Sequence, residues 1–316
     1  MSRTDIATRI YAAGGLGMNL GRRLAQIDGD VCFIDTSDAN RTGDLDVGKC
    51  HFIHGLHGSG GNRRENYAAI TPEIDEVLTH FEPGDFNLVL FSAAGGSGSV
   101  IGPLLVRQLL MNKHPTVALV VGADDSDIRT NNTINTLKSL EAISLQTNQP
   151  LVMYYQQNTG GVPRKEIDND ILFGAQALMI LTNQNHAELD PMDLTNWVQY
   201  QKVTSLQPQL SFLTVETTRG EAAKILEPIS TASLYADPDE DAPFGNPHYA
   251  TVGYPREPDS MPFPQLHFVI NTRYVEDTVS ALTERQQELS KNYGSYRQRK
   301  SMIDVDDKPS EDGLIL

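Results

Sequence analysis

Two cysteines, Cys32 and Cys50, are too few for a disulfide framework in a chain of 316 residues, and packing in apolar stretches accounts for both. There is no basic and apolar N-terminal tract of the kind that directs secretion. No apolar run approaches the roughly 20 residues needed to cross a bilayer. Positive charge is also scarce: 25 lysines and arginines face 41 aspartates and glutamates, a net charge of −16. Such a surface repels phosphate backbones and anionic headgroups, so no direct nucleic-acid or membrane partner is expected and the chain reads as soluble and cytoplasmic. What remains is an ordinary globular composition, 39% apolar and 21% charged, long enough for two packed domains.

Glycine is present where it carries meaning. In "LVLFSAAGGSGSVIG", residues 88–102, a buried strand runs into Gly95, Gly96, Ser97, Gly98 and Ser99 and out into a helical series. A strand, a glycine loop and a helix start together expose unpaired N–H groups at the positive end of a helix dipole, a ready anion site. A tight βα turn would explain one such loop. "RIYAAGGLGMNLG" supplies a second, with Gly14, Gly15, Leu16 and Gly17, and "GLHGSGGNRREN" a third, with Gly58, Gly60, Gly61 and the arginines Arg63 and Arg64. Three loops at three strand ends can surround a polyphosphate.

Strands are expected near 6–13, 30–35, 49–54, 86–93, 116–122 and 150–155, and helices near 17–27, 64–80, 99–112 and 130–143. That alternation implies a parallel sheet covered on both faces, with ligands at the strands' carboxyl ends. The expected organisation is a nucleotide-binding domain over 1–164, a long central helix over 165–187, a catalytic loop and smaller α/β domain over 188–274, a C-terminal helix over 275–300 and an acidic tail over 301–316. In the second domain "LSFLTV", "HYATVGY" and "QLHFVIN" read as strands around one helix.

"AAGGSGSV" resembles the tubulin and FtsZ signature loop, and "GGLGMNLG" resembles the first phosphate loop of that superfamily. Ala94 and Val100 replace the outer glycines of the signature, which marks a divergent member. The short chain and the tail "DDKPSEDGLIL" are most similar to the bacteriophage tubulins, the PhuZ group, with plasmid-partitioning TubZ a nearer cousin than FtsZ. The resemblance implies GTP or GDP with Mg2+ as ligands. It implies phosphate contacts from Gly14, Gly15, Leu16, Gly17 and from Gly95 to Ser99, with Asp35, Gly60, Gly61 and Asn62 also at the nucleotide. Asn19 and Asn169, the latter in "IDNDIL", would lie at the guanine, and Arg129 and Asn132 near the ribose. By itself Asn169 reads as a solvated position on an apolar helix.

"AELDPMDL" matches the family loop in which two acids three residues apart enter the neighbour's nucleotide site, so Asp190 and Asp193 are the implied catalytic pair. Asp190, Pro191 and Asp193 equally form a good helix start, with cap, proline and acid in order. Implied partners are further copies of the chain, stacked head to tail with the C-terminal tail on the next subunit, in a dynamic filament that positions phage DNA or particles, or segregates a plasmid. His51, His54 and His57 fall every third residue, but on a strand running into a loop they do not share a face, so no metal site is expected. From another class, Gly15, Gly17 and Gly21 followed by Asp35 also fit a dinucleotide-binding oxidoreductase, although that fold has no use for a second glycine loop.

Overall fold

The computed structural model describes residues 8–27, 29–41, 43, 45–53, 60, 63–183, 186–257 and 261–297. The tail at 301–316 and the histidines His54 and His57 lie outside them.

Strand β1 (Thr8–Ala13) passes directly into helix α1 (Gly14–Ala25), followed by β2 (Asp30–Asp35) and the short β3 (Cys50–Phe52). Next come α2 (Arg63–Ile70), α3 (Ile74–His80), β4 (Phe86–Ser92), α4 (Gly98–Met111), β5 (Thr116–Ala123) and α5 (Asp127–Thr147). The single helix expected over 64–80 is two, because Pro72 opens a 3-10 turn at Thr71–Glu73 between them. Helix α1 begins three residues before the expected 17: the glycine loop is itself the first turn of the helix.

After β6 (Leu151–Asn158) comes the central helix α6 (Arg164–Thr182). It stops five residues short of the expected 187, since Asn183 leaves the helix with extended backbone and His186–Ala187 form the two-residue strand β7. Helix α7 (Pro191–Val198), β8 (Leu210–Glu216), the four-residue α8 (Arg219–Ala222), β9 (Ser230–Tyr235), β10 (Tyr249–Pro255), β11 (Gln265–Asn271) and the long α9 (Arg273–Arg297) complete the chain.

The sheet order is β3-β2-β1-β4-β5-β6-β8-β11-β9-β10-β7. The first six strands are parallel, and β6 hands the sheet on to β8 through Leu151–Leu210, Val152–Ser211 and Met153–Phe212. Alternate residues feed two cores. Ile10, Leu88, Leu90, Val117 and Leu119 face the layer of α1 and α6, and Tyr11, Val89, Phe91, Ala118 and Val120 face that of α2 to α5. Helix α6 lies tight on the sheet because Gly174 has no side chain: a Cβ there would sit 2.3 Å from Tyr154. Trp197 of α7 wedges between Phe86 of β4 and Phe268 of β11, with ring centroids 6.4 and 6.0 Å away, and so ties the two parts of the sheet together. No described helix is long and apolar enough to cross a membrane.

Candidate functional site

A cavity of about 520 Å³ opens at the carboxyl ends of the parallel strands, where Ala13, Asp35, Ser92, Val121 and Asn158 line it. Two helices start there, and neither is capped by a side chain or carries an acid in its first turn. Free N–H groups and two positive dipole ends therefore face one space. Arg164 and Arg129 stand on its wall with Asp35 and Asp168, and Arg129 is also paired to Asp125. The donor set suits a polyphosphate.

Of the residues singled out from the sequence, Gly15, Leu16, Asn19, Asp35, Gly95, Gly96, Ser97, Gly98 and Arg129 line this cavity. Gly14, Gly17 and Ser99 support it from behind. A Cβ on Gly14 would meet the Gly98 backbone nitrogen at 2.6 Å, and one on Gly17 would meet the Ala12 carbonyl carbon at 2.7 Å. The buried Ser99 hydroxyl donates to the Gly96 carbonyl at 3.2 Å. Thr36 and Ser97 share a hydroxyl hydrogen bond of 2.5 Å that ties the end of β2 to the signature loop. Asp35 is 2% exposed. Its carboxylate accepts from the Thr36 backbone N–H at 2.7 Å and from Asn40 at 3.0 Å. Burial raises its pKa against those two hydrogen bonds.

Three expectations land elsewhere. Asn132 lies in an adjoining groove with Gly60, Arg63 and Ile128, where its amide donates to the Ala94 carbonyl at 3.3 Å. Gly60 is exposed in that groove, away from the main cavity, while Gly61 and Asn62 lie outside the described residues. Asn169 is exposed and accepts from Arg23 at 3.1 Å. The α6 residues that reach the cavity are Arg164, Ile167 and Asp168, one turn apart on a single face. Burial raises the Asp168 pKa, opposed by Arg23 and Arg164. The spacing of Arg164 and Asp168 in "RKEID" was the available signal.

Asp190 and Asp193 form a reciprocal capping box on α7. Asp190 Oδ1 accepts from the N–H groups of Met192 at 2.7 Å and Asp193 at 3.0 Å, while Asp193 Oδ2 accepts from Asp190 N–H at 3.1 Å. Asp190 itself is exposed, and Glu188, two residues before it, has φ +63°. The box lies beyond the C-terminal end of α6, whose N-terminal turn lines the cavity. Nineteen helical residues, roughly 28 Å, separate the two ends. Among the described residues no group of three or more His, Cys, Asp or Glu side chains could hold a metal, and His51 instead faces Glu73 at 3.5 Å.

Residues 189–275 match the family model for the phage tubulin-like protein C-terminal domain. Over 316 residues the chain is 39% identical to a phage tubulin-like protein of Pseudomonas phage PhiPA3, covering 99% of this chain and 100% of the relative. The solved protofilament of TubZ from bacteriophage PhiKZ superposes with a TM-score of 0.91 at 37% identity, covering 98% and 99% of the two chains. A structure of the phage tubulin PhuZ with GDP gives 0.90 at 36%, covering 98% and 100%.

Proposed function

This chain belongs to the phage tubulin-like proteins, and from that premise we propose that it binds GTP in the cavity between α1 and α4, polymerises head to tail, and hydrolyses the nucleotide where two subunits meet. One observation carries the reading: the phosphate-type cavity and the exposed acid Asp190 stand at opposite ends of α6. A single subunit cannot bring them together, whereas a copy stacked on the end of another can. Stacking of this kind is heterologous and does not close, so it builds open filaments. A relative solved as a protofilament supports the stacking, and one solved with GDP supports the nucleotide.

In this reading the first-turn amides of α1 and α4 cradle the phosphates, and Arg129 and Arg164 balance their charge. Asp168 and Asn19 face the base end. The incoming Asp190 orients the attacking water, as phosphoryl transfer asks mainly for positioning and charge neutralisation. Magnesium, bound along with the nucleotide, would supply neutralisation of phosphate charge. The filament would serve to position phage DNA or particles in the host.

The sheet order β3-β2-β1-β4-β5-β6 is shared with dinucleotide-binding enzymes, so strand order does not separate the two classes. Right-angle light scattering does. Addition of GTP should raise scattering above a threshold protein concentration, and ATP or NAD should leave it flat. A response to NAD, or none to GTP at any concentration, would overturn the proposal.

A further inference from the structure

Asp193 is braced from outside its own helix. The Tyr249 hydroxyl on β10 donates to Asp193 Oδ1 at 3.1 Å, and β10 and β9 form the surface on which α7 packs. The same hydroxyl stands farther, 3.5 Å, from the Asp193 carbonyl, so its one proton goes to the carboxylate. Burial, then the charge of Asp193 and the hydrogen bond to it, push Tyr249 up to about 12, so the hydroxyl keeps its proton through the neutral range.

The other oxygen of Asp193 holds the Asp190 backbone N–H. Both Asp193 oxygens are thus engaged within the subunit, while Asp190 is the exposed member of the pair. The two acids, equivalent in the sequence pattern, are unequal in the structure: Asp193 has both oxygens held inside the subunit, whereas Asp190 rests Oδ1 on the N–H groups of Met192 and Asp193 and is exposed.

We propose that Tyr249 is a positioning residue for GTP hydrolysis, which fixes Asp193 and, through the Asp190 backbone, sets the direction in which the Asp190 carboxylate meets the neighbouring subunit. The inference rests on the reading of this loop as catalytic. A phenol suits the task because it is a rigid arm with a single proton, anchored on a strand rather than on the loop it steadies.

Tyr249→Phe keeps the ring and removes only the hydroxyl. Four quantities are measured: phosphate release per assembled subunit, GTP affinity of the monomer, the critical concentration with a slowly hydrolysed GTP analogue, and the melting temperature. Turnover per assembled subunit should fall about tenfold with the other three unchanged, the signature of lost orientation rather than lost packing. In an Asp193→Ala background the same substitution should add nothing, since its route of action is already cut.

Turnover within twofold of the parent overturns the inference. So does a fall of equal size in the Asp193→Ala background, or one accompanied by a parallel rise in critical concentration. Asp190→Asn separates the two levels. If that variant turns over GTP normally, the catalytic loop itself is misassigned, whereas an inactive Asp190→Asn beside a fully active Tyr249→Phe refutes only the role of Tyr249.

Discussion

Gly14 and Gly98 meet backbone to backbone: a Cβ on the first would stand 2.6 Å from the nitrogen of the second. The first turns of α1 and α4 are therefore one surface, and the two glycine motifs read separately in the sequence build a single cradle. Gly14 also has φ +72°, a left-handed conformation that costs a residue with a Cβ about 1 to 2 kcal/mol. Gly14→Ala and Gly98→Ala should each weaken GTP binding at least about tenfold, or roughly 1.4 kcal/mol, by calorimetric titration. Gly220→Ala, where a Cβ meets nothing within 4 Å, should bind normally.

The capping box makes it possible to separate structure from catalysis at Asp190. Asparagine caps a helix about as well as aspartate but carries no charge. Asp190→Asn should keep the melting temperature and the affinity for GTP while turnover falls by about a hundredfold, near 2.7 kcal/mol of barrier. Asp190→Ala should lose the cap as well, at about 1 kcal/mol of stability. Wild-type phosphate release from assembled Asp190→Asn protein would leave Asp190 with the capping role alone.

Guanine presents two adjacent N–H donors on its pairing edge where adenine has an acceptor, and a carboxylate accepts both. Asp168 lines the cavity and Asn169 does not. Asp168→Ala should therefore narrow the preference for GTP over ATP by about tenfold in competition titrations, the cost of leaving buried donors unpaired. Asn169→Ala should change neither affinity. The reverse pattern would return the base contact to Asn169.

Helix periodicity and glycine placement made the parallel half legible: β2 runs Asp30–Asp35 as expected, and α4 opens at the signature loop. The strand β9 was not legible. Its Ser230, Thr231 and Ser233 look like loop residues, yet they are buried, and two of the hydroxyls find partners there, Ser230 with the Trp197 carbonyl at 2.8 Å and Ser233 with His267 at 3.0 Å. Which of two neighbouring polar residues on α6 faces the cavity was equally hidden. It depends on helix phase: the resemblance points at Asn169, and Asp168 is the one that lines the cavity. Nor could spacing rank Asp190 against Asp193, because Tyr249 lies 56 residues away in the chain.

His267 is fully buried between Ser233 and Gln265, at 3.0 and 3.2 Å, and burial followed by Arg219 lowers its pKa to about 4. The folded protein thus keeps it neutral where the unfolded chain, with an ordinary value near 6.5, takes up a proton. Stability contributed by this group is whole above about pH 6.5 and is lost as the pH falls towards 4, by about 2 kcal/mol at pH 5. Urea unfolding at pH 7.5 and pH 5 should show His267→Gln losing less stability on acidification than the parent by that amount. Equal losses would remove His267 from the acid response.

The most direct test of activation between subunits is phosphate release per subunit measured across protein concentration, with pelleting in the same samples. A site completed by the neighbour's Asp190 predicts almost no turnover below the critical concentration and a rise in specific activity that tracks the pelleted fraction. Specific activity that stays constant from dilute monomer to dense filament would mean that each subunit hydrolyses GTP alone, and would contradict the head-to-tail site.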